Sequence, residues 1–237
     1  MAQSFFIWKG IDCRAMGVKT SGFAPIIRPE ERVQHVNIPG RSGDLTLLEG
    51  ENIYNSYIQT VTILARDSAR IRKIYDWLRG SGYVTFSGEP DKKQPARIIG
   101  AVTLNKHSYN LDWWTGEVQF YCQPLKQRLR DETVYISSSG SEVKNFGDVT
   151  SRPNMAVVAS GTSVTVAAGG KSLTVTGISN GTTFIIDSDA QEVYSADRST
   201  LLTANSSGEF PVLLPGANSV TGSGWSEITI DRRERFL

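Results

Sequence analysis

Period-two alternation governs the first half of the chain. In residues 57–64 (YIQTVTIL), Tyr57, Val61 and Ile63 fall on one face and Ile58, Thr60 and Thr62 on the other. That spacing predicts a strand with one face covered and one wet. Residues 113–122 (WWTGEVQFYC) alternate in the same way. Trp114, Val118, Phe120 and Cys122 share the apolar side, opposite Thr115, Glu117, Gln119 and Tyr121. Shorter runs at 83–86 and 97–104 extend the predicted sheet. One stretch changes period. In SARIRKIYDWLRG, Ile71, Ile74, Tyr75 and Leu78 recur at i, i+3, i+4 and i+7, the stripe of an amphipathic helix. Asp67 or Ser68 can cap its free N–H groups, and Gly80 is its expected left-handed stop.

Beyond residue 150 the helical period is gone. Short apolar runs recur at 154–159, 163–167, 172–176, 183–187, 191–194, 212–214 and 226–230. Gly161, Gly169-Gly170, Asn180-Gly181, Ser207-Gly208 and Pro215-Gly216 punctuate them. Short strands with turns at this spacing predict a β-sandwich. Asn180-Gly181 between apolar runs predicts a hairpin, because a type I′ turn needs positive φ at both central residues.

Charge and aromatic content divide the 237 residues. Residues 1–130 carry 18 Lys/Arg against 12 Asp/Glu, net +6, whereas residues 131–237 carry 7 against 12, net −5. Trp8, Trp77, Trp113 and Trp114 lie in the first portion and only Trp225 in the second. Two compositions predict two domains, 1–140 and 141–237, with the seam in the small polar stretch Ser137–Ser141. The overall near-balance, formal net charge +1, excludes a polybasic nucleic-acid binder and an acidic disordered chain. No apolar run is long enough to span a membrane, and the N-terminus lacks the pattern of a secretory signal. Membrane insertion is not expected.

Candidate chemistry is sparse. Cys13 and Cys122 are far apart and fit no metal motif; sequence alone leaves a disulfide between them open, and the favoured reading is two buried free thiols. Two histidines, His35 and His107, supply a hydrolase triad poorly. Asp187-Ser188-Asp189 beside Glu192 lacks the glycine and terminal bidentate glutamate of a calcium loop and reads as a turn between strands. Arg66, Arg70, Arg72, Lys73 and Arg79 around the helix read as a solvated face, since no second basic helix or aromatic ladder accompanies them. Pro39-Gly40-Arg41-Ser42-Gly43 is neither a dinucleotide nor a P-loop fingerprint and reads as a tight loop joining two strands. His35, Asn37 and Arg41 only loosely echo a sugar-reading strand of galectins, and they lie outside the predicted sandwich. No nucleophile, base and orienting group converge. The residues therefore predict a scaffold or binding module, not an enzyme, with no metal and no cofactor.

Along its whole length the chain resembles the distal tail proteins of bacteriophages with long, non-contractile (siphovirus-type) tails. The resemblance rests on the order and spacing of segments, none specific alone. They are Gly10–Val18 (GIDCRAMGV), Pro29–Arg32 (PEER), Ile38–Gly43 (IPGRSG), Asp76–Gly80 (DWLRG) and Phe86–Asp91 (FSGEPD). Tyr121–Lys126 (YCQPLK), Asn145–Pro153 (NFGDVTSRP) and Gly208–Asn218 (GEFPVLLPGAN) follow. The last strand, 228–237, ends on Arg232, Arg233, Glu234 and Arg235, where relatives more often place an aromatic between the basic residues.

The resemblance implies a mainly β chain, with an N-terminal β-rich, ring-forming domain carrying one helix and a C-terminal galectin-like β-sandwich. It implies a homo-hexameric ring that joins the tail tube protein to the tail-tip or tail-associated protein, contacts receptor-binding proteins and leaves a channel for DNA to pass without specific binding. The protein would then sit in the virion, at the distal tip of the tail, after assembly in the host cytoplasm. Some relatives carry inserted carbohydrate-binding modules, and this chain has no loop long enough for one. Within this frame the loop Pro39, Gly40, Arg41, Ser42, Gly43 is the candidate interface, and the tryptophan-rich first domain is expected to form the ring. The competing readings are a carbohydrate-binding module of a phage or bacterial surface, using the sandwich, and a cell-wall enzyme.

Overall fold

The computed structural model describes residues 4–48, 50, 52–107, 112–130 and 132–237. The chain divides into two compact units, residues 1–129 with Leu237, and residues 130–236. Strands dominate both, and the pairings between strands of the same unit are antiparallel.

The first unit contains β1 (Phe6–Trp8), β2 (Ile11–Asp12), β3 (Val18–Thr20), β4 (Val33–Val36), β5 (Leu45–Leu48) and β6 (Tyr57–Arg66). Helix α1 (Ser68–Trp77), β7 (Ser81–Phe86), β8 (Lys92–Lys106), β9 (Trp113–Cys122) and β10 (Lys126–Arg128) follow. The main sheet runs β2-β1-β7-β8-β9-β6-β3. The two alternating segments are its centre: β6 and β9 pair residue for residue from Tyr57↔Cys122 to Arg66↔Trp113. Their apolar faces point inward as the pattern predicts, with Val61, Ile63, Val118, Phe120 and Cys122 buried.

Helix α1 closes that face. Asp67 caps it, its carboxylate accepting from Ala69 N at 3.0 Å. Ile74, Trp77 and Leu78 are buried, whereas Tyr75, expected in the apolar stripe, is 38% exposed. The indole of Trp77 takes the inward place instead. Trp77 Nε1 donates to Trp8 O at 3.2 Å and Trp8 Nε1 donates to Trp77 O at 3.1 Å, so both indoles are satisfied without water. Phe6 stacks on Trp77 at 5.5 Å, and Phe120 meets Phe6, Trp8 and Phe86 edge-on. Such rings contribute about 1.5–3 kcal/mol each from burial alone, which fixes the helix to the sheet.

The second unit is a sandwich. One sheet runs β11 (Thr133–Ile136), β20 (Trp225–Asp231), β13 (Asn154–Ala159), β16 (Thr183–Asp187), β17 (Glu192–Ser195). The other runs β12 (Ser141–Asn145), β19 (Gly216–Ser223), β14 (Ser163–Ala168), β15 (Lys171–Thr176), β18 (Ser206–Gly208). Met155, Val157, Phe184, Ile186, Ile228 and Ile230 from the first meet Val143, Val164, Val166, Leu173, Val175 and Val220 from the second in one core. The final short strand is β21 (Arg235–Phe236).

Three local expectations change. The division falls at Leu129/Arg130, not in the polar stretch Ser137–Ser141, which forms the turn between β11 and β12. β11 pairs with β20 from Thr133↔Asp231 to Ile136↔Ile228, so it belongs to the sandwich. Asn180-Gly181 is not a hairpin: β15 and β16 lie in different sheets, and of the two residues only Gly181 has positive φ. In this unit β14–β15 is a two-residue hairpin, where Gly169 (φ 60) and Gly170 (φ 77) supply the pair of positive φ angles. Residues 212–214 do not form a strand; Leu213 makes a single bridge to Ser151.

Candidate assembly surface

One part of the first unit lacks the support given to the rest. After β3 the chain leaves the main sheet and returns at β6, and between them β4 and β5 form a two-stranded sheet of their own. The base of this arm is fastened by Arg32 N donating to Ile53 O at 2.9 Å and Asn55 N donating to Glu30 O at 2.8 Å. Beyond the base, the rungs among the described residues run from Val33↔Leu48 to Val36↔Leu45. The predicted interface loop Pro39, Gly40, Arg41, Ser42 and Gly43 is the exposed tip of this hairpin. Arg41 N closes the tip on Ile38 O at 3.1 Å.

Large apolar side chains are left in water along this arm and in the segment that leads into it: Ile38, Leu47, Leu48 and Ile53 on the arm, and Phe23 and Ile26 before it, are all exposed, Leu48 to 65%. Single exposed leucines are unremarkable, but the adjacent Leu47 and Leu48 on a strand with Ile38 and Ile53 exposed on the same arm are more than scattered exposure. A two-stranded hairpin is at best marginal in water without a further strand or a cover. The tip loop was legible from its glycines. Leu47 and Leu48 were not, because LTLLEGENIYN has neither a period of two nor of 3.6 to mark a buried face.

The remaining candidate groups serve the fold. His35 and Asn37 stay on the hairpin: His35 Nδ1 shares a hydrogen bond with Thr46 Oγ1 at 3.3 Å, and Asn37 faces Asp44. The acidic cluster is the loop between β16 and β17. Asp187 is buried there and receives Arg233 through two bonds, 2.7 Å and 3.1 Å, with Arg198 at 3.6 Å. Burial opposes its charge, but the Arg233 bonds and the main-chain N–H groups of Ala190 and Asp189 outweigh it and hold the carboxyl below its usual 3.8. The basic C-terminal segment is tied in similarly, Arg232 bonding Glu132 at 3.0 Å and Lys144 O at 3.0 Å. Cys13 and Cys122 are free and buried, and burial pushes the Cys122 thiol up to about 12. Among the described residues no group of three His, Cys, Asp or Glu side chains could hold a metal ion, and no helix is long and apolar enough to cross a membrane.

No protein-family profile and no curated protein matches the sequence. A solved structure does. The SPP1 Dit (gp 19.1) protein, described as a paradigm of the hub adsorption apparatus in phages infecting Gram-positive bacteria, superposes with a TM-score of 0.80 at 18% identity, covering 100% of each chain. At that identity the likeness is one of fold, and it spans both units: this chain has the β-rich architecture of a phage tail hub protein from end to end.

Proposed function

We propose that the chain is the structural hub of a phage tail tip, a homo-hexameric ring that joins the tail tube protein to the tip proteins and leaves a channel through which DNA passes. The observation that carries this reading is the full-length likeness to SPP1 Dit, without an unmatched domain on either side. A fold alone does not fix a function. What supports the reading beyond the fold is the exposed apolar arm of the first unit. The role is one of assembly, in the virion, with no reaction catalysed.

Closing a ring requires two different patches on each copy that match head to tail. We assign the ring contact to the first unit. Its arm, with tip Pro39–Gly43, carries Ile38, Leu47, Leu48 and Ile53 exposed within 16 consecutive positions, whereas the exposed large apolar residues of the second unit, Tyr135, Phe146, Leu201 and Leu214, are scattered along its sequence. The second unit is then free to face the tip and receptor-binding proteins. Light scattering on the purified protein tests the reading. A mass near six protomers supports it, and a mass of one protomer at high concentration overturns it.

A further inference from the structure

Two elements of the first unit are each left with half of a β-ladder. The first is the outer edge of β6. β3 covers this ten-residue strand only from Ile63 to Ala65. Just beyond, Thr62 O accepts from Ser21 N at 3.1 Å. The chain then turns away, and Ala24 and Ile26 lie against Gly88. Main-chain groups alternate in direction along a strand, so those of Thr60 and Ile58 point the same way as Thr62, toward this edge. No main-chain group pairs with them there among the described residues.

Exposed edges are normally guarded by charges, proline or a bulge. Tyr57–Val61 (YIQTV) has none of these, and Ile58 is 50% exposed. The second element is β5. It pairs with β4 on one side and, among the described residues, with no strand on the other. It too is uncharged (LTLL), and it carries the exposed Leu47 and Leu48.

We infer that β5 of one copy adds to the β6 edge at Tyr57–Val61 of a second copy. This inference rests on the ring reading and names its contact. The four residues of β5 match the five open residues of β6 in length. The main-chain bonds supply affinity, and Leu47, Leu48 and Ile58 supply apolar cover, as in other strand additions. Neither paired segment, Leu45–Leu48 nor Tyr57–Val61, carries a charge, so no like-charge penalty opposes the pairing. Arm and edge are different surfaces of one chain, so the contact is head to tail and repeats from copy to copy.

The test uses the full chain with one surface blocked at a time. Ile58→Lys blocks the edge, and Thr60→Pro removes the N–H that the edge presents. Leu48→Lys blocks the arm. All three positions are exposed in the isolated chain, so each variant should keep the wild-type circular dichroism. Tyr135→Lys, at an exposed position of the second unit, is the control and should keep the wild-type size.

The expected result is that Ile58→Lys, Thr60→Pro and Leu48→Lys each sediment as monomers. A mixture of Ile58→Lys with Leu48→Lys should form one-to-one dimers and nothing larger, because it has one working arm and one working edge per pair. That complementation also shows that both variants are folded. If the wild type forms rings and the three variants form them equally well, the strand pairing is wrong while the ring reading stands. If the wild type is monomeric, both fall.

Discussion

Asp187 is a charged group kept at the end of a strand whose neighbours are apolar. Its side chain is 6% exposed and its partner Arg233 is 25% exposed. The folded pKa lies below the unfolded value, so the stabilisation is complete above about pH 4 and is lost as pH falls through the folded value. The second unit should therefore lose stability in acid, and Asp187→Asn should flatten that loss in denaturant melts followed against pH. Near neutral pH the same change should cost about 2–3 kcal/mol, less than for a fully buried pair because part of Arg233 stays in water. A variant that keeps both the wild-type stability and its pH slope would remove the role given to this pair. The cysteines make a second residue-scale case. A thiol pushed to about 12 by burial is neither ionised nor reachable at pH 8. A thiol reagent should label Cys13 and Cys122 only after denaturation, and labelling of the native chain would contradict their placement in the core.

At the scale of elements, what the sequence made legible was periodicity. β6 and β9 each announce their inward face through strict alternation, and the second-unit strands β13, β14, β15, β16 and β20 stand within a residue or two of the apolar runs that mark them. What periodicity does not encode is which strand pairs with which. Asn180-Gly181 has the composition of a hairpin but connects the two sheets, whereas Gly169-Gly170 makes the hairpin. The helix stripe misplaced Tyr75 because both indoles, Trp8 and Trp77, have N–H groups to satisfy and do so on each other's main chain. The hairpin assignment makes a contrast that can be measured. A Cβ on Gly169 would lie 2.4 Å from Val212 O, while one on Gly170 meets nothing within 4 Å. Both substitutions carry the cost of a positive φ, about 1 kcal/mol. Gly169→Ala should cost clearly more than Gly170→Ala in urea unfolding, and equal costs would argue against this turn.

For the whole molecule, the candidate surface was only partly legible. The tip Pro39–Gly43 stood out by composition, but Leu47 and Leu48 became visible only from a structure in which β4 and β5, among the described residues, pair with each other alone. The domain seam was displaced for a related reason: a polar linker between domains and a polar connection between the two sheets of one sandwich look alike in sequence, and only the pairing of β11 with β20 and of β12 with β19 distinguishes them. That displacement matters for dissection. A fragment beginning at Asn145 would lack β11 and nearly all of β12, so the second unit should be cut at Arg130. Residues 1–129 should then assemble and residues 130–237 should remain monomeric in light scattering. The reverse outcome would move the ring contact to the sandwich. The most direct measurement is electron microscopy of the intact purified chain in negative stain. The account predicts rings of six-fold symmetry with a central opening, and compact single particles without an opening, at concentrations where light scattering finds one protomer, would contradict it.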